Sequence, residues 1–241
     1  MGYNRFMGSK IEFISLIDGL ESIEECRPKP AKNFIPEWFR DIPSSEPETV
    51  KVCPSFPDYF SMGYVVPMWT DVKLASNEFP GVDWNWQTPD KTFIMDAHSN
   101  HQFIDYVKPS FNGVDGQFVF KAICPWRIIT PPGWSVLQLP MFYHFNKEFS
   151  VLPGIIDTDI YHEINQQILY HGCGKEIQIK RGTPLALYVP FKRDQIHLDS
   201  EIRFANDEDM TKINGSALNL KTMFRPGIYR KMQRDRDRDV R

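Results

Sequence analysis

Apolar positions in this chain come in short runs, cut by proline, glycine and charged residues. From Tyr59 onward the runs are those of strands. "YVVPMWTDVKLAS" carries β-branched and aromatic stretches that end in polar residues. "NEFPGVDWNWQTPDKTF" alternates and turns. "GQFVFKAICPWRIITPPGWSVLQLPMFY" reads as two strands joined at Pro131-Pro132-Gly133, a strong turn signal. "EINQQILYHGCGKEIQIKRGTPLALYVPFK" predicts three more short strands, with turns at His171–Lys175 and Lys180–Thr183. Turns about every 8–12 residues point to a sandwich or barrel.

The two ends differ from this middle. "KIEFISLIDGL", near the start, reads as a strand or a short helix. Residues 27–57 hold seven prolines, so they cannot form one regular element. They read as an arm on the surface, pinned by Phe34, Trp38 and Phe39. "IPEWFRDI" suits one helical turn with Pro36 near its start. Past Lys192 the chain turns polar. Asn206 to Phe224 reads as helical, and "RKMQRDRDRDVR" as a solvated end. The expected division is an arm at 1–57, a barrel at 58–192 and an extension at 193–241.

Composition sharpens the β reading. Aromatics make up 14% of the 241 residues and there are 19 prolines, which favour strands, turns and edges. The net charge of −3 gives no nucleic-acid footprint. No apolar run approaches ~18 residues, so no membrane span is expected. "MGYNRFMGSK" lacks an apolar signal core, and Phe6 stands where a myristoylation signal wants Ser or Thr. Cys26, Cys53, Cys124 and Cys173 are far apart, with no CxxC pair. They read as reduced thiols of a cytoplasmic protein.

The stretch from Ile129 to Pro190 resembles the trimeric dUTP pyrophosphatase (dUTPase) family, a β-clip barrel. Pro131-Pro132-Gly133 takes the place of its "PPG" turn. About twenty residues later Gly154-Ile155-Ile156-Asp157-Thr158-Asp159 stands where the family has "GVIDSD". Ile177, Ile179 and then Lys180-Arg181-Gly182-Thr183-Pro184-Leu185-Ala186 follow its later strand pair. Ser61-Met62-Gly63-Tyr64 is similar to its opening "S-A-G-Y". The whole chain also resembles a family found in tailed phages and bacteria. These likenesses imply a mainly β fold, a homotrimer and, for a phage product, the host cytoplasm and phage proteins as partners.

The same resemblance implies altered chemistry. Asp157 matches the family's water-holding aspartate, but the family's "PRSG" reads Pro140-Met141-Phe142-Tyr143. Two polar phosphate contacts have become bulky apolar groups, which cannot stabilise developing charge. Val65 stands at the metal-linked aspartate, and the Arg- and Gly-rich closing arm has no counterpart. The Ser/Arg/Glu set of the related dCTP deaminases is not recognisable either. The expectation is a binding or structural oligomer without dUTP hydrolysis. The alternative is a hydrolase of altered specificity on a nucleotide-like substrate. There Asp157 positions water, His144 or Glu163 assists, and Mg is a cofactor under that reading alone. Otherwise no cofactor is implied.

Ligand contacts are expected from Met141, Phe142, Tyr143, Tyr161 and the pair Trp84 and Trp86, which share one face of a strand. Such a pair can stack a base or sugar, and is more often core or interface. His98 and His101, with Asp96, have metal-ligand spacing on a helix, yet their context is a hairpin tip. A cupin-like metal enzyme is a minor reading. Pro131, Gly133, His144 and Asn146 echo its first motif, with too long a gap between Gly133 and His144. Gly113 and Gly116 read as a hairpin turn, and Cys173, between two glycines, as a turn residue.

Overall fold

The computed structural model describes residues 10–43, 49–51, 53–76, 82–86, 95–97, 104–107, 118–171 and 176–221. The chain divides into two compact units. One contains residues 1–34 and 63–197, the other residues 35–62 and 198–241.

The larger unit is built of antiparallel strands in four sheets. β1 (Glu12–Ser15) pairs with β8 (Trp126–Ile129). A five-stranded sheet has β2 (Lys29–Pro30) at one edge, then β3 (Tyr64–Pro67). β14 (Pro184–Lys192), β9 (Trp134–Pro140) and β11 (Gly154–Ile156) complete it in that order. A second sheet runs β10 (Phe149–Val151), β12 (Gln166–Tyr170), β7 (Phe118–Ala122) and β6 (Met95–Ala97). The last has β4 (Val72–Ser76) between β13 (Glu176–Ile179) and β5 (Val82–Trp86).

The burial pattern explains the strand sequences. β8 and β13 alternate buried with exposed or half-buried residues, as strands with one covered face do. β12 and β14 lie inside their sheets and carry consecutive buried residues, Ile168-Leu169-Tyr170 and Leu185-Ala186-Leu187-Tyr188. The core adds Phe120, Trp126, Ile128, Val136 and Leu74 from the other strands.

Two features correct the sequence reading. The stretch read as two strands joined at Pro131-Pro132-Gly133 forms three, because the chain breaks at Cys124-Pro125 before β8. Pro125 has no amide hydrogen to give to a ladder. The strands from Tyr59 onward begin at Tyr64, since α2 (Ser55–Ser61) comes first. Phe56 and Phe60, four apart on α2, both pack near the Phe39 ring, at 6.0 and 4.8 Å. That helical spacing overrides their β propensity.

Phe39 sits on the single turn α1 (Glu37–Arg40), whose N-cap is Pro36. The lysine Lys51 lies 5.0 Å from the Phe39 ring centre and donates to the carbonyl oxygens of Phe39 and Arg40. A further short helix is α3 (Ile104–Val107), and α4 spans Asp207–Lys221. α4 opens with a reciprocal cap. The Asp209 amide donates to Asn206 Oδ1 and the Asn206 amide to Asp209 Oδ2, both at 2.9 Å. Among the described residues no helix is long and apolar enough to cross a membrane.

Candidate functional site

Asp157 follows β11, directly after the strand that pairs with β9. Ser135 Oγ donates to its Oδ1 at 2.6 Å, and Arg193 Nη1 lies 3.4 Å from the same oxygen. Arg193, just past β14, was not foreseen, and it organises the whole corner. Its guanidinium grips Asp159 with both nitrogens, at 2.9 and 2.6 Å, and reaches Trp134 O and Ser135 Oγ.

The Pro131-Pro132-Gly133 turn is the other half of this corner. The Trp134 amide donates to Pro131 O at 3.1 Å and Gly133 has φ 83, a type II turn. Gly133 N donates to Asp159 Oδ2 at 2.8 Å, and Arg193 N donates to Gly133 O. The Asp159 side chain is only 6% exposed. Its hydrogen bonds from Arg193, then that from Gly133, hold its carboxyl at about pKa 2. Thr130 and Thr158 hydroxyls meet at 2.7 Å beneath the turn. The corner thus joins the β8–β9 turn, the end of β11 and the exit of β14 through a bidentate ion pair.

His144 lies elsewhere. β9 stops at Pro140, and Phe142–His144 form a 3-10 turn, so His144 lies beyond the strand. Phe145, at φ 49, caps this turn in the left-handed conformation. His144 Nε2 is 2.9 Å from Phe34 O, and burial lowers its pKa. This turn borders a cavity of 590 Å³. Pro140, Met141, Phe142, Phe145 and Phe149 form apolar walls, closed by Pro184 and Leu185. Asn146, Lys147, Ser150 and Thr183 supply the polar lining beside His144. Ser150 Oγ is 2.8 Å from Nε2 of His171, a ring whose pKa burial lowers. Tyr143 packs edge-on against Phe142 and Phe145, at 5.2 and 6.2 Å between centroids.

Glu163 and Tyr161 form a third group. Glu163 pairs with Arg127 at 3.2 Å and accepts from Tyr161 Oη and Asn165 Nδ2. Burial and Glu163 raise the Tyr161 phenol pKa. No hydrogen bond or ion pair among the described residues joins Asp157, His144 and Glu163. Trp84 and Trp86 lie two apart on β5, in register with Leu74 and Val72 of β4. Asp96 lies on β6, 3.9 Å from Lys121, while His98, His101, Gly113, Gly116 and Cys173 lie outside the described residues.

Val65, at the family's metal-linked position, is wholly buried in the core, and Asp157 faces a guanidinium. Among the described residues no group of three or more His, Cys, Asp or Glu side chains is placed to hold a metal ion. Part of the corner and of the cavity was missed by sequence for one reason. Asp159 stood in the quoted turn, but Arg193, Ser150 and His171 belong to no motif, and only pairing of β9, β14, β10 and β12 brings them in.

Solved structures similar to this chain include dUTPases. A mutant dUTPase from phage phi11 of S. aureus is 12% identical, with a TM-score of 0.37, covering 82% of this chain and 99% of that one. A mutant dUTPase of Staphylococcus bacteriophage 80alpha is 11% identical, with a TM-score of 0.38 and the same two shares. The EIAV dUTPase is 17% identical over 56% of this chain and 92% of its own, with a TM-score of 0.26. No protein-family model and no curated protein matches the chain.

Proposed function

We propose that this chain is a phage-encoded, homotrimeric member of the dUTPase-like fold that binds a small ligand and does not hydrolyse dUTP. The cavity beside Met141 and Phe142 is the binding site in this reading, and the host cytoplasm the place of action. The observation that carries it is the wall at 140–145. Where the resembled family needs charge-stabilising donors, Met141 and Phe142 form an apolar wall of the cavity. A methionine and a phenylalanine offer nothing to a developing phosphate charge.

The state of Asp157 supports the same reading. An attacking water needs a carboxylate with an open lone pair and a nearby phosphate clamp. Oδ1 of Asp157 accepts from Ser135 and faces Arg193, which leaves Oδ2 alone to hold a water. The arginine that sits nearest has its two terminal nitrogens on Asp159.

Pyrophosphate release from dUTP with magnesium tests the proposal. Purified protein is expected to show no turnover above its Asp157→Asn variant. Turnover that the variant abolishes would establish the alternative, a hydrolase in which Asp157 positions water.

A further inference from the structure

We infer that the cavity takes an aromatic carboxylate of one or two rings, held by Lys147 and by a hydroxyl that His171 orients. This rests on the binding reading above and adds the chemistry of the ligand.

The volume of 590 Å³ suits a compact organic molecule. The walls decide its body. Three phenylalanines, Phe142, Phe145 and Phe149, with Met141 and Leu185, face the space. Phe142 and Phe145 are 64% and 57% exposed, with centroids 6.1 Å apart in an edge-on arrangement. Aromatic and thioether surfaces of this kind favour a flat ring.

Charge decides its head group. The lining contains Lys147 and no Asp or Glu. His144, the lining's other basic group, is neutral near pH 7, because burial lowers its pKa, and its Nε2 is taken up with Phe34 O. The site therefore carries one positive charge and favours one negative charge in its occupant.

Geometry supplies a second donor. Ser150 lines the cavity from β10 and contacts Nε2 of His171, just past the neighbouring strand β12. The pair sits diagonally across the two strands, where long side chains meet. With Nε2 protonated, His171 donates to Ser150 Oγ, and the serine proton is left to point at an acceptor. A carboxylate accepts from both Ser150 and Lys147, in charge-assisted bonds.

Saturation-transfer NMR and titration calorimetry of the full chain test this with four probes: 2-naphthylacetate, its neutral amide, acetate and inorganic phosphate. The acid is expected to bind ~10-fold more tightly than the amide, the effect of one charge-assisted bond. Acetate and phosphate are expected to show no binding. Lys147→Ala, at an exposed position, removes the preference for the acid, and Ser150→Ala weakens the acid more than the amide. Equal binding of acid and amide overturns the carboxylate assignment and leaves the cavity reading intact. Phosphate binding in preference to the acid overturns it too. Failure of both naphthyl probes to bind overturns the cavity reading itself.

Discussion

At the residue scale, one carboxylate carries the corner. Asp159 is nearly buried, and its pKa is lowered to about 2 by Arg193 first and the Gly133 amide second. Its folded pKa lies below the ordinary value of 3.8, so the unfolded chain binds more protons between the two. Its stabilisation is then complete above about pH 4 and lost as pH falls through about 2. Thermal denaturation from pH 5 to 2 is expected to show this loss in the wild type and a shallower one in Asp159→Asn. Equal slopes would sink the assignment. Gly63 is a second residue of consequence. It has φ 71, and a β-carbon there would fall inside contact distance of the Tyr188 carbonyl oxygen. Gly63→Ala combines left-handed strain with a backbone clash, and is expected to cost at least ~2 kcal/mol by denaturant titration.

At the element scale, a buried polar chain ties two sheets together. Gln166 on β12 donates to Tyr188 Oη on β14 at 2.9 Å, and Tyr188 donates to Gln138 on β9 at 2.8 Å. Gln138 in turn donates to Leu152 O. Tyr188 is fully buried, and burial raises its phenol pKa well above the ordinary value, so the hydroxyl stays protonated. Gln166 Oε1 is the one buried side-chain oxygen or nitrogen among the described residues with no partner. Tyr188→Phe would leave two buried amides short of a partner, and is expected to cost ~1–3 kcal/mol. Calorimetric unfolding checks it, and a change under ~0.5 kcal/mol would mean the chain adds little. The strands themselves were legible. β3, β4, β9 and β12 through β14 fall in stretches whose alternation or apolar runs suggest them, β10 and β11 lie outside those stretches, and α4 starts at the Asn206 cap. The short helix α2 was not, because its aromatic residues have the composition of a strand and the spacing of a helix.

At the scale of the whole molecule, the trimer follows from the proposal rather than from one chain. Light scattering on the purified protein is expected to give three times the chain mass. A monomer at micromolar concentration would falsify that part of the proposal. Ile155, Ile160 and Tyr161 are exposed near the end of β11 and are the apolar residues such an assembly has to account for.

The sequence by itself determined the mainly β class, the Pro-Pro-Gly turn, the Lys180–Thr183 turn and the loss of polar groups at 141–143. These are local properties. Backbone sterics at proline and glycine, side-chain alternation and residue chemistry act over a few positions, so a linear string displays them. Only the tertiary structure decided that Arg193 would hold Asp159, that Ser150 would meet His171, and that Met141 and Phe142 would face a cavity. Those pairs lie 34 and 21 residues apart, and the cavity joins 140–151 to 183–185. Strand register sets which of many possible partners meet, and register is fixed by packing across the whole sheet. No short window of sequence contains that information.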